Sequence, residues 1–147
     1  MSNTASTLFD KVWDAHVVRQ IEDGPDVFFI DRHFIHELTS PVAFLGLQTR
    51  GIGVMFPEHT FATADHNTPT INQHLPVADP LSANQLLALE QNSAKYGISH
   101  WGLGNPKNGI VHVVGPENGI TQQQILTEKF TGTWAVSYKI EKARSEE

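Results

Sequence analysis

Asp65, His66 and Asn67 bring a carboxylate, an imidazole and an amide together in one short segment. An aspartate beside a histidine can hold one imidazole tautomer and stabilise the imidazolium, which suits proton transfer near neutral pH. The preceding run, Thr60–Thr63, has the residue types of a strand, and Pro69 favours a turn. The segment therefore predicts polar groups at a strand end, where open α/β sheets bind ligands. The alternative is a plain polar turn, since so short a motif is only a hypothesis.

Other histidines are candidates for the same or a second site. His112 lies in the apolar run Ile110–Val114, so it is either a core histidine with a hydrogen-bond partner or part of a site. His33 and His36 are three residues apart and on a helix would share a face that can bind metal. A metal hydrolase that uses His33, His36 and His66 is therefore one hypothesis. Catalytic zinc needs three converging ligands, and because the sequence specifies no such set, we expect no metal ligands here.

Apolar runs that alternate with helical segments predict the architecture that must position these groups. We predict an α/β fold, a three-layer α/β/α sandwich with a mostly parallel sheet. The expected central strands are Val27–Ile30, Thr60–Thr63 and Val111–Val114. A covered parallel strand is typically a continuous apolar run, and Val27–Ile30 fits that pattern best.

Helix signals surround these strands. Thr7 and Asp10 form a variant of the capping box before the first helix. Ser40 is expected to cap the second helix, with Pro41 at its first position. The segment from Ser82 to Tyr96 is the clearest helix and is followed by a glycine stop.

The sequence changes character after residue 121, so we predict a domain segment over residues 1–121 and a divergent tail over residues 122–147. QQQILTEKF indicates a short helix or a linker. The side chains of Trp134, Val136, Tyr138 and Ile140 then alternate as in a half-buried strand. We expect this stripe to form an edge strand against the domain, because exposing it would present a sizeable apolar patch. The charged residues that follow are expected to fray.

Composition narrows the possible functions. A length of 147 residues suits one domain, and the net charge of −6 disfavours general nucleic-acid binding. The sequence has no long apolar run of a membrane span and no pattern of a secretory signal, so we expect a cytoplasmic protein without a membrane partner. It contains no cysteine, which removes disulfides, thiolate nucleophiles and thiolate metal ligands.

Four motifs in order resemble the N-terminal portion of a known family, the large subunit of 3-isopropylmalate dehydratase in the aconitase superfamily. They are TLFDKVWDAHVV, FFIDRHFIHELTSPVAF, TFATADHNTPT and GIVHVVGPENGIT. The resemblance covers about residues 7–121. It implies an α/β/α domain, a [4Fe-4S] cluster in the full-length subunit, a separate small subunit as partner, and isopropylmalate as substrate.

The resemblance also implies roles for particular residues. Asp65 and His66 are similar to the acid/base pair of the superfamily, and His112 is similar to a further catalytic histidine. Ser40 lies at a helix start that resembles a substrate-binding element, where exposed N–H groups can receive a carboxylate. Asn67, beside the pair, is the second residue expected to bind substrate.

The chain departs from the family where a Cys-Gly-Asp-Ser-His-Thr motif would follow, because QQQILTEKFTGTWAVSYKIEKARSEE stands there instead. We therefore expect a truncated large subunit that interconverts 2- and 3-isopropylmalate by dehydration and rehydration. Alone it should be inactive, since it has no cysteines to bind the cluster. The alternative is a non-catalytic assembly module or remnant of that subunit.

Overall fold

The computed structural model describes residues 6–121 and, as backbone, residues 126–130 and 133–137. Within these ranges the chain forms four α-helices, a single 3₁₀ turn and seven strands. The helices are α1 (Leu8–His16), α2 (Ser40–Thr49), α3 (Pro80–Tyr96) and α4 (Val111–Glu117). The strands are β1 (Val17–Arg19), β2 (Val27–Phe28), β3 (Arg32–Ile35), β4 (Thr60–Thr63), β5 (Ser99–Trp101), β6 (Leu126–Phe130) and β7 (Thr133–Ser137). The 3₁₀ turn is Pro57–His59.

The main sheet has five strands in the order β5-β4-β3-β7-β6. Strands β3, β4 and β5 are parallel, with Ile35 opposite Ala62 and Thr63 opposite Trp101. Strand β7 is antiparallel to β3, and β6 is antiparallel to β7. Because the three parallel strands end together, the segments after them meet at one side of the sheet, here called the carboxyl edge.

Helices cover both faces of this sheet. On one face, α2 and α3 pack against the strands through Phe44 and Leu89, which contact Ile35 and Ala62. On the other face, α4 packs through Val111 and Val114 against aromatic side chains of the three parallel strands. These aromatic residues are Phe34, Phe61 and Trp101. The predicted α/β fold with three layers and parallel central strands is therefore confirmed.

Helix caps form where the sequence indicates them. Thr7 Oγ1 accepts the N–H of Asp10 at 3.2 Å, and the Asp10 carboxylate accepts the N–H of Thr7 at 2.9 Å, which completes a reciprocal box. Helix α3 begins at Pro80, two residues before the predicted start, because Asp79 caps it by accepting the N–H of Ser82 at 2.7 Å. It ends at Gly97, whose φ of 70° glycine tolerates best.

The prediction that Val27–Ile30 is a central strand is wrong. Val27 and Phe28 form a short strand that pairs antiparallel with β1 in a separate two-stranded sheet. The central strand is β3, which begins at Arg32, two residues after the predicted strand ends. Strand β3 alternates, with Phe34 in one core and Ile35 in the other, and both are almost fully buried. The alternation of side chains between two buried faces therefore decides which segment becomes the central strand. The apolar run does not decide it, and its residue Phe29 stays 38% exposed.

The prediction that Val111–Val114 is a central strand is also wrong, because this segment opens helix α4. Val111 and Val114 are three residues apart and both are buried, whereas His112 and Val113 between them are exposed. That spacing is helical, and an apolar run of four residues cannot distinguish a strand from a buried helix turn.

Two further expectations need correction. Thr39, not Ser40, is the N-cap of α2, Ser40 is its first residue, and neither side chain makes a capping hydrogen bond. Leu126–Phe130 is strand β6, where a helix or linker was expected. In the tail, β7 carries Trp134 and Val136 and lies between β3 and β6, so β6 holds the outer position. Tyr138 and Ile140 lie outside the described residues, and the division at residue 121 stays a prediction.

None of the helices in the described part of the chain is both long enough and apolar enough to span a membrane.

Replacing Gly115 with alanine should destabilise the fold. A Cβ at this position would lie 2.5 Å from Thr121 Oγ1 and 3.1 Å from Phe34 Cζ, and both of those side chains are buried. Overpacking of this kind costs about 1–3 kcal/mol, which urea denaturation would measure. Gly46→Ala is the matched control, since nothing lies within 4 Å of its Cβ and alanine favours a helix interior. Equal stability of the two variants would contradict the expectation.

Candidate active site

The turn after β4 presents Asp65 and His66 at the carboxyl edge as a hydrogen-bonded pair. Asp65 Oδ1 makes a short contact with His66 Nδ1, while Asp65 Oδ2 accepts the N–H of Val111 at 2.8 Å. The Asp65 side chain is 4% exposed and the His66 side chain is 40% exposed. An ionised Asp65 therefore holds the proton on Nδ1 of His66 and leaves Nε2 as the ring nitrogen for exchange with a ligand or solvent.

The backbone of this turn is bound by Glu37, which follows β3 at the same edge. Glu37 is fully buried. Its Oε2 accepts the N–H of Asp65 at 3.1 Å, and its Oε1 accepts the N–H of His66 at 2.7 Å and, through a short contact, that of Asn67. Three successive backbone donors thus converge on one carboxylate.

The imidazole ring of His36 lies beneath that of His66. The two imidazole rings stack with their centroids 4.0 Å apart and their planes 12° from parallel. The N–H of Leu38 donates to His36 Nδ1 at 3.3 Å, so the neutral ring carries its proton on Nε2. Burial, followed by the charge of the neighbouring His66, lowers the pKa of His36 below its usual 6.5. The His36 imidazole beneath His66 is therefore neutral at neutral pH.

The structure brings His112 to this group, although on a helix and not on a strand. His112 is the second residue of α4, and its side chain is exposed. It directly follows Val111, whose N–H donates to Asp65. The charge of His112 also contributes to lowering the pKa of His36, which indicates that the two imidazoles are electrostatic neighbours. The catalytic role of His112, like that of Asp65 and His66, stays a prediction.

The two residues expected to bind substrate have different surroundings. Asn67 is half-buried, and its side-chain amide donates to Gln85 of α3 through a short contact. Ser40 is 1% exposed, and its hydroxyl has no hydrogen-bond partner among the described residues. Asn67 therefore ties the turn to α3, whereas Ser40 lies beneath the surface at the start of α2. Substrate contact stays a prediction for both.

A metal ion is the other use that this cluster suggests, because His36, Glu37, Asp65 and His66 each place one potential ligand atom within 4.8 Å of the others. The hydrogen bonds argue against it. Both oxygens of Glu37 and both oxygens of Asp65 already accept N–H groups. His33 is not among the clustered residues, so the His33-His36-His66 hydrolase hypothesis has no geometric support.

A cavity of about 590 Å³ lies beside the pair at the carboxyl edge. Its walls come from the loop around His74, from α3 and from the residues after β5, and it reaches Ala64, which directly precedes Asp65. His100 lines it, and the buried Nε2 of His100 has no hydrogen-bond partner among the described residues. The cavity and the acid/base pair are therefore adjacent, but neither Asp65 nor His66 lines the cavity.

The histidines make stability depend on pH in a defined direction. Burial lowers the pKa values of His33, His36 and His100 below 6.5. The unfolded chain therefore binds more protons than the folded chain as pH falls through about 6.5, and folding stability is lost on acidification. Urea denaturation at pH 7.5 and 5.5 should show lower stability at pH 5.5. His100→Gln should weaken this dependence and His74→Gln, at an exposed position, should not. Greater stability at pH 5.5 would contradict the assignment.

Comparison with known proteins identifies the family to which this chain belongs. The profile of the Aconitase family (aconitate hydratase) matches residues 10–127. The chain belongs to the aconitase family. No solved structure is significantly similar to it.

The chain is similar to 3-isopropylmalate dehydratase large subunits. It is 83% identical over 117 residues to that of Flavobacterium johnsoniae, with 80% of this chain covered. It is 54% identical over 116 residues to that of Bacteroides thetaiotaomicron and 51% identical over 119 residues to that of Prochlorococcus marinus, with 79% and 81% of this chain covered. In all three comparisons the match spans 25% of the relative's length. The chain thus corresponds to a large-subunit segment.

Members of the aconitase family use an iron–sulfur cluster, and the residues of this chain do not fit one. Such clusters are held by cysteine thiolates, and the 147 residues contain no cysteine. The side chains at the carboxyl edge are imidazoles and carboxylates, and both oxygens of Glu37 and of Asp65 already accept N–H groups. The ligands of a cluster must therefore come from residues other than these.

Sequence reasoning did not identify Glu37, and it considered His36 only as a metal ligand. The available signal was position, because both residues directly follow β3 at the carboxyl edge. That signal was hidden by the misplaced strand, since a central strand at Val27–Ile30 would put His36 and Glu37 in a loop well past the edge.

Proposed function

We propose that this chain supplies the acid/base segment of a 3-isopropylmalate dehydratase, which interconverts 2- and 3-isopropylmalate by dehydration and rehydration. The single observation that carries the proposal is the Asp65–His66 pair, in which a nearly buried carboxylate binds Nδ1 of a solvent-accessible imidazole. The identity of 83% to a large subunit supports the choice of substrate.

In this proposal His66 moves the proton. The Asp65 carboxylate stabilises the His66 imidazolium, which donates from Nε2 to the departing hydroxyl, so that the C–O bond breaks and the hydroxyl leaves as water. A base outside this segment takes the proton from the adjacent carbon, the electron pair of that C–H bond forms the double bond, and the base returns the proton to carbon on rehydration. On rehydration, Nε2 takes the proton back from the incoming water. The neutral His36 ring supports His66 from below, and His112 lies beside them to meet a carboxylate of the substrate. The cluster is supplied by another polypeptide segment, and the dehydratase small subunit is the partner.

The absence of cysteine favours a second candidate function, that of a non-catalytic assembly module of the large subunit. Such a module would keep the domain and its contacts with other dehydratase chains. An affinity pull-down of the small subunit together with the cluster-bearing segment, followed by an iron determination and an isomerase assay on the recovered complex, separates the two functions. Complex formation without iron or activity would favour the module.

Titration with isopropylmalate, followed by NMR, tests the site in the chain as it stands. We expect weak binding, with a Kd of about 1 mM or above, because the chain offers only part of a recognition shell. The amide signals of Asp65, His66 and Asn67 should shift, and His66→Ala should remove the response. His59→Ala is the control, since His59 ends the 3₁₀ turn before β4, at the opposite end of that strand from the pair. Submillimolar binding that survives His66→Ala would contradict the proposed site.

A further inference from the structure

We propose that Glu37 is a positioning residue, which aims the Asp65–His66 pair by binding the backbone of the turn that carries it. The inference rests on the proposed function, since it assigns Glu37 a task within the same site. In the hydrogen bonds described above, Glu37 binds only backbone N–H groups of the turn. None of these bonds involves the Asp65 or His66 side chain.

The geometry of the Glu37 carboxylate carries this inference. The N–H groups of three consecutive residues, 65 to 67, all point to it, at 3.1 Å, 2.7 Å and a shorter distance. Successive N–H groups that converge in this way form an anion-binding concavity, and hydrogen bonds to an ionised acceptor are among the strong ones. A fully buried carboxylate inside such a concavity is accounted for by these bonds.

Sheet register explains why Glu37 reaches this turn. Ile35 lies opposite Ala62 in the parallel pair β3 and β4. Two residues beyond Ile35 is Glu37, and three residues beyond Ala62 is Asp65. Both segments therefore leave the sheet at the same edge and in the same direction, which places a side chain from the first beside the backbone of the second.

Fixing these three peptide groups fixes the direction of the side chains they bear. The Asp65 carboxylate is then divided between His66 Nδ1 and the Val111 N–H, and the His66 ring is laid over His36. Without the Glu37 carboxylate, three partly buried backbone donors would lose their acceptor, and the turn would have to rotate them elsewhere. The proton on His66 Nδ1 is therefore held in place indirectly by Glu37.

Nitrogen-15 NMR of the histidine rings in Glu37→Gln tests the proposal. In the unmodified chain with a neutral His66 ring, we expect a single tautomer with the proton on Nδ1. Glutamine has one acceptor oxygen, and its NH₂ group would oppose one of the N–H donors. Glu37→Gln should therefore give a mixture of His66 tautomers and at least tenfold faster amide exchange at residues 65–67. Glu37→Asp, which keeps the charge, should recover part of the single-tautomer signal, and Glu22→Gln, at an exposed position, should change nothing.

A folded Glu37→Gln variant with unchanged His66 nitrogen shifts would overturn the proposal, because a merely structural carboxylate would leave the tautomer alone. If Glu37→Gln does not fold, amide exchange in the unmodified chain decides. Strong protection of residues 65–67 supports the proposal, and exchange as fast as in exposed loops overturns it. These readouts need no substrate. A failed isopropylmalate titration beside a tautomer change at Glu37→Gln would therefore reject the proposed function alone.

Discussion

Asp65→Asn should slow the interconversion of isopropylmalate isomers about 10²–10⁴-fold in a complex that contains this chain, the small subunit and the cluster-bearing segment. This range is what a positioned general acid or base usually contributes. The amide keeps the size of the carboxylate and can still accept the Val111 N–H. It cannot stabilise the His66 imidazolium, and its NH₂ group can turn toward Nδ1 and impose the wrong tautomer.

Steady-state rates at saturating isopropylmalate measure this effect, because the loss should fall on kcat more than on KM. Asp14→Asn is the matched control, since Asp14 is exposed on α1, far along the chain from the carboxyl edge segments. A rate within threefold of the unmodified complex would exclude Asp65 from proton transfer. If the unmodified complex binds no iron and has no activity, the assembly-module function is favoured instead.

The sequence predicts those parts of the site that depend on residues close together in the chain. It misses the part that depends on residues far apart in the chain. Asp65 and His66 are adjacent, so their pairing needs only a strand before them and a turn after them, and both are readable from residues 60–69. The acceptor for the backbone of this turn is Glu37, 28 residues earlier than Asp65. Its role depends on the register between β3 and β4, which depends on which segment becomes β3.

The two misplaced strands show the same limit. Val27–Ile30 and Val111–Val114 are short apolar runs, and hydrophobicity alone makes either one a good strand. The choice was decided by packing, because Phe34 and Ile35 fill the cores on opposite faces of the sheet. With that strand in place, Val111 and Val114 cover the aromatic cluster as one turn of a helix. The start of α1 and the end of α3 were predictable because Thr7, Asp10 and Gly97 act within their own helix termini.

Phe34→Ala should have the largest effect on stability, a loss of about 3–5 kcal/mol, which is the usual cost of deleting a buried aromatic ring. Phe34 is 1% exposed, and its ring stacks on that of Phe61 with centroids 5.5 Å apart. It also lies against Gly115, so its removal leaves a cavity between the sheet and α4. Helix α4 is seven residues long and shares this cluster with Trp101, so we expect only partial closure of the cavity.

The loss should also reach the active site, because α4 presents the Val111 N–H to Asp65. We expect faster amide exchange at Val111 in Phe34→Ala under conditions where the variant is still folded. Urea denaturation gives the stability, and Phe9→Ala is the control, since Phe9 is 50% exposed and should cost much less. A loss at Phe34→Ala no greater than that at Phe9→Ala would mean that α4 is not held by this ring. Any effect of the core cluster around Phe34 on the acid/base pair would then depend on β3 and Glu37.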